Sequence, residues 1–165
     1  IWDFQDGSTL TITEGQNNKF GFIDGRGNWV IEPIFKEVLP FSEGLAPAYL
    51  KRKWGFINEN GEFVIEERFN GAGTFSKNGL APIRTGYWGF TNKEGEIVID
   101  PRYFITTHEP VKALPYIKIA METNGFVNGW ALVFKVDNGF VFINDKGEVL
   151  GDKRFEYAAP FTEVD

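Results

Sequence analysis

Cysteine is absent from the 165 residues, and histidine and methionine occur once each. No disulfide framework, thiolate zinc site or thiol nucleophile can therefore exist. The one histidine, His108, lies in Thr107-His108-Glu109, where the local sequence does not supply the partners that a metal site needs, and it has no serine elbow to serve. Positive charge is also in deficit, at 17 Lys+Arg against 23 Asp+Glu, for a formal charge of -6. Nucleic acids and anionic membranes are held by Lys/Arg clusters, so neither is an expected partner. No apolar run is long enough to cross a bilayer as a helix, and membrane insertion is not expected. No glycine-rich loop leads into a helix carrying Lys-Ser/Thr, so a phosphate cradle is unsupported. No cofactor, metal or catalytic residue is expected. What abounds is aromatic side chains and glycine: 17 Phe, 5 Trp, 5 Tyr and 19 Gly.

A repeat accounts for this excess. Lys19-Phe20-Gly21-Phe22-Ile23 recurs as Lys53-Trp54-Gly55-Phe56-Ile57 and as Tyr87-Trp88-Gly89-Phe90-Thr91, at steps of 34 residues. Each copy continues with a turn glycine (Gly27, Gly61, Gly95), an apolar triplet, and an aromatic at Phe35, Phe69 or Tyr103. The first two copies then close with Phe41 and Gly44-Leu45-Ala46-Pro47, and with Phe75 and Gly79-Leu80-Ala81-Pro82. An eroded fourth copy starts at Phe140-Val141-Phe142-Ile143, with valine in place of glycine. Phe126 to Ala131 matches Phe41 to Ala46, so about 17 residues are inserted in the third copy, around 104–122. The expected division is a tail or cap at 1–18 and repeats at 19–52, 53–86, 87–138 and 139–165, all in one continuous domain. The partial units at both ends read as an excerpt from a longer array.

These motifs resemble the WG (KWG) repeat of bacterial proteins. The resemblance rests on Lys53-Trp54-Gly55-Phe56-Ile57-Asn58 with Gly61, and on the Phe-x-x-Gly-Leu-Ala closing element. It implies a multi-copy architecture without a characterised activity, and favours a location outside the cytoplasm: cell surface, periplasm or secreted.

Within a unit the apolar period is 2, which indicates strands. Trp54 and Phe56 are expected on one face, with Gly55 and Ile57 on the other. Phe63 and Ile65 are expected to share a face, with Val64 opposite. Asn58-Glu59-Asn60-Gly61 reads as a hairpin turn in which Asn58 bonds the backbone. Residues 45–50, 53–58 and 62–66 then make a three-stranded antiparallel meander, and 68–79 the crossing loop. One such unit cannot cover two apolar faces alone, so units must stack. The fold class is all-β: tandem meanders in an open solenoid-like array, with a closed propeller-like ring as the alternative. The glycine of Trp-Gly marks a close approach by a neighbouring backbone or ring.

The expected function is non-catalytic: a module offering an extended surface to a protein partner. Residues that set one unit apart are the candidates, namely His108, Tyr116, Lys118 and Met121 in the insertion, and Trp130. Arg68, Arg102 and Arg154 recur beside rings and could bind an extended anionic partner, or stack on the rings and pair with turn glutamates. A carbohydrate-binding module is the alternative, through Trp2, Trp29, Tyr49 and Trp130. A hydrolase using paired acids is the third reading; Glu62, Glu96 and Glu148 recur and so make poor unique catalysts.

Overall fold

The computed structural model describes residues 10–103, 125–135 and 139–151. Thirteen strands in those residues form four antiparallel sheets, with no closed barrel among them. β1 (Thr11–Glu14), β2 (Phe20–Ile23) and β3 (Trp29–Phe35) make the first, in that spatial order. β4 (Glu37–Val38), β5 (Ala46–Tyr49), β6 (Trp54–Ile57) and β7 (Phe63–Phe69) make the second. β8 (Gly71–Ala72), β9 (Ala81–Arg84), β10 (Trp88–Thr91) and β11 (Ile97–Tyr103) make the third. β12 (Ala131–Lys135) and β13 (Gly139–Ile143) make the fourth.

The expected meander is present as β5-β6-β7, but the two middle sheets have four strands rather than three. The fourth comes from the stretch assigned to the crossing loop. One residue after β3 ends at Phe35, the chain pairs Glu37 with Tyr49 and Val38 with Ala48 in the next sheet. One residue after β7, Gly71 and Ala72 likewise pair with Arg84 and Ile83. A single extended segment thus serves two sheets in turn. Consecutive units are joined through backbone hydrogen bonds as well as side chains.

The cores lie between the sheets. Phe22, Ile31 and Phe35 of the first sheet meet Phe41, Ala46, Ala48 and Ile57 from the span of the second sheet, 37–69. Phe56, Ile65 and Phe69 meet Phe75, Ala81 and Ile83 from the span of the third. Phe90, Ile99 and Tyr103 meet Phe126, just before the fourth sheet, and Ala131, Val133, Val141 and Ile143 within it. The same ring contact recurs in each: Phe22–Phe41 at 4.8 Å, Phe56–Phe75 at 5.0 Å and Phe90–Phe126 at 4.9 Å between centroids. Phe22, Phe56 and Phe90 are almost wholly buried. Each such ring contributes about 1.5–3 kcal/mol by leaving water.

Hydrogen bonds follow the same step. The Ser42 hydroxyl donates to the Phe75 carbonyl, and the equivalent Ser76 hydroxyl oxygen accepts the Phe126 N–H at 2.8 Å. Phe126 therefore occupies, after the insertion, the place that Phe41 and Phe75 hold before it.

Trp54 and Trp88 are only half-buried. Trp54 packs on the core that Phe56 builds and lies 5.6 Å from the Tyr49 ring. Trp88 packs on the following core.

Candidate functional site

The outer strands of the units, β3, β7 and β11, carry the most regular exposed feature. Each is bulged twice against its neighbour. In the second unit Phe56 pairs with Ile65 while Ile57 pairs with Phe63, which leaves Val64 as an extra residue. Val30 and Val98 are extra in the same way in the first and third units. A bulge turns the chain over, so the flanking side chains separate. Phe63 packs toward the preceding core beside Ile57, its ring 6.1 Å from Phe35, whereas Ile65 faces the following core. Strict alternation had placed Phe63 and Ile65 on one face; the bulge at Val64 overturns that.

The second irregularity lies opposite the Trp-Gly glycine. Trp54 pairs with Phe69 and Phe56 with Ile65, so residues 66–68 cross over Gly55. A methyl group built on Gly21, Gly55 or Gly89 would lie 2.3, 2.5 or 2.3 Å from the carbonyl oxygen of Ile31, Ile65 or Ile99. Real carbon atoms do not approach so closely. The glycine is fixed by the backbone beside it, as expected.

The bulges give the outer edge a periodic surface. Val30, Val64 and Val98 are 46%, 50% and 45% exposed. Two residues on stand the exposed acids Glu32, Glu66 and Asp100. Glu32 and Glu66 have no ion-pair partner among the described residues; Asp100 accepts from Arg102 at 2.9 Å. The turns link one unit's edge to the next. Substituent positions on Gly61, Gly95 and Gly147 lie 3.0, 3.2 and 3.4 Å from Ile31, Ile65 and Ile99 of the unit before. Such bulged, charged edges also resist pairing with another sheet. Sequence reasoning missed this ladder because a valine between apolar neighbours reads as core. The recurrence of an acid two residues later was the available signal.

The turns themselves are built from one side chain. Asn58 Oδ1 accepts the N–H groups of Asn60 and Glu62 at 3.0 and 3.1 Å, and its Nδ2 donates to Glu62 Oε2 at 3.0 Å. Asn92 with Glu96 and Asn144 with Glu148 repeat this arrangement. The recurring glutamates thus pair with turn asparagines, and among the described residues none pairs with Arg68 or Arg102. In the first turn the polarity is reversed: Asp24 accepts from the N–H groups of Asn28 and Arg26 and from the Asn28 side-chain amide. These backbone donors, Asn28 first, hold the Asp24 carboxyl below its ordinary value.

The other candidates fall into two groups. His108, Tyr116, Lys118, Met121 and Arg154 lie outside the described residues, as does Trp2. Arg68 lies 5.0 Å over the Phe69 ring and donates to the Gly95 carbonyl of the next unit. Arg102 pairs with Asp100 on its own strand. Trp130 stands where Leu45 and Leu80 close the other units; those leucines are buried, and the larger indole is half-buried. Trp29 is 37% exposed, while Tyr49 packs on Trp54 beneath Lys36. Among the described residues no three His, Cys, Asp or Glu are grouped to hold a metal ion.

Four consecutive sheets, sharing cores and repeating their turns, contacts and bulges, define an all-β tandem-repeat protein. The family model described as WG containing repeat matches residues 20–54, 54–87 and 88–103. The chain belongs to that family. No curated protein matches it.

Proposed function

We propose that the chain is a non-catalytic repeat module that binds a protein partner along the outer edges of its units. The observation that carries this reading is the ladder of Val30, Val64 and Val98. Three apolar side chains are left in water at the same place in three units, although Ile31, Ile65 and Ile99 directly after them are buried. Repeat arrays use such surfaces by engaging one partner at several units at once, where modest contacts add through effective concentration.

The test is a crosslinking capture of partners by the wild-type chain, by Val30→Ser/Val64→Ser/Val98→Ser, and by alanine replacements through 116–122. Loss of the same captured partner from the triple variant, with unchanged thermal stability, supports the edge. Loss from the alanine series alone moves the site to the insertion. Equal capture by all three overturns both sites.

Carbohydrate binding is a second reading, supported by the exposed Trp29 ring. Binding on a glycan array that Trp29→Ala removes would favour it over the protein partner.

A further inference from the structure

Six Asn-Gly dipeptides punctuate the sequence, at Asn60, Asn70, Asn78, Asn124, Asn128 and Asn138. At such a pair the main chain can react with the side chain. The glycine amide nitrogen, unhindered by a side chain of its own, attacks the asparagine Cγ. The C–N bond to the side-chain nitrogen breaks, ammonia leaves, and a five-membered succinimide closes. Water then opens the ring at either carbonyl, giving aspartate or isoaspartate. One ammonia is lost and one water gained, and no oxidant or reductant takes part. The attacking N–H must be free of its acceptor, so the fold selects among the six.

Three of the four described sites are restrained. At Asn60 the Gly61 N–H donates to the Asn58 carbonyl at 3.0 Å. At Asn78 the Gly79 N–H donates to the Ser76 carbonyl at 2.9 Å, and Asn78 Oδ1 accepts the Leu80 N–H. At Asn70 the side-chain oxygen accepts from Lys53, the backbone N–H donates to Arg84, and Gly71 is buried in β8.

Asn128 is different. It lies in a two-residue turn, closed by Val127 N–H to Trp130 O at 2.9 Å and Trp130 N–H to Val127 O at 3.0 Å. Asn128 and Gly129 have φ of +50° and +82°, both left-handed, as this tight turn requires. In a turn of this size the second central N–H takes no part in the ladder. Both residues are exposed, and neither the Gly129 N–H nor the Asn128 side chain has a hydrogen-bond partner among the described residues.

We infer that Asn128 is a site of spontaneous deamidation in the folded protein. The product has a structural consequence, because the turn stands between Phe126 and Ala131 of the core joining the third sheet to the fourth. Isoaspartate routes the main chain through Cβ and adds a carbon to the turn, which then cannot keep both reciprocal hydrogen bonds. The twin turn of the first closing element, Ser42 to Leu45, carries Glu43 at this place and has no side-chain amide to lose.

The test is incubation of the full chain at mildly alkaline pH, folded and in denaturant, with peptide mapping by mass spectrometry and an isoaspartate assay. In the folded chain Asn128 should convert about fivefold or more faster than Asn60 and Asn78, the factor that one retained backbone hydrogen bond supplies, and faster than Asn70, whose side chain Lys53 holds. In denaturant the four rates should converge. Glu43→Asn, which completes an Asn-Gly pair in the twin turn, should create a second fast site. A folded chain in which Asn128 is no faster than the other three, or a ranking that persists in denaturant, overturns the inference. So does an inert Glu43→Asn turn.

Discussion

Gly89 of β10 and Val141 of β13 hold equivalent places in consecutive units, and the two surroundings make opposite demands. Over Gly89 the bulged segment of β11 crosses so closely that an added Cβ would meet Ile99 O at 2.3 Å and Pro101 N at 2.7 Å. Val141 is 1% exposed and belongs to the core between the third and fourth sheets, where it stands opposite Val133. In the second unit a neighbour fills the equivalent space, since Phe63 ring atoms lie 2.8 and 2.9 Å from where a Gly55 side chain would begin. The position therefore has no fixed preference for glycine. At Gly21, Gly55 and Gly89 the bulged strand that crosses the position keeps it glycine.

The same replacement at the two sites should separate them. Gly89→Ala is expected to cost at least about 3 kcal/mol, because the clash is with backbone that cannot move without undoing the bulge. Chemical denaturation reads this directly. Val141→Ala should cost about 2 kcal/mol, the usual loss for removing two buried methyl groups. Equal losses at the two sites would break the comparison.

A smaller effect comes from the turns. Asn58→Asp sets a second carboxylate against Glu62 and should cost about 1 kcal/mol at neutral pH. Adding Glu62→Asn recreates the acid–amide order of Asp24 and Asn28 and should restore most of the loss. In the first turn the Asp24 carboxyl lies below its ordinary value. Its stabilising contribution is thus present above the ordinary carboxylate range and is lost as pH falls through the lowered value. Asp24→Asn should remove that part of the acid dependence of stability.

The smallest expected effect is a gain. Glu43 sits at φ +54° in a turn whose counterpart carries Asn128. Glu43→Asn should stabilise by about 0.5 kcal/mol, since asparagine tolerates this conformation better. The weak Lys93–Glu43 pair, at 3.9 Å, offsets little of that.

Much of this arrangement was legible in the sequence, because the repeat writes each inter-sheet contact several times. The 34-residue step, the turn glycines, Asn58 as a turn residue and the close approach at Trp-Gly all follow from residue types at fixed spacing. The fourth strand was not legible. Glu37-Val38 is two residues long and carries one apolar side chain, too short a run to show a period, although Val38 packs on the first core. Nor were the bulges: Phe63-Val64-Ile65 reads as one alternating strand, and only the pairing of Ile57 with Phe63 and Phe56 with Ile65 reveals the extra residue. Val64 consequently looked inward-facing, and the exposed ladder was missed.

Cores shared between successive sheets are the central claim, and native-state hydrogen exchange on Ile31→Ala tests it most directly. Ile31 belongs to the first sheet but packs with the second unit, against Ala46, Ala48, Ile57 and the Gly61 turn. Protection should therefore fall most in β2, β3 and β5–β7, less in β8–β11, and least in β12–β13, as nearest-neighbour coupling requires. Loss confined to β1–β3, or equal loss in all four sheets, would contradict it.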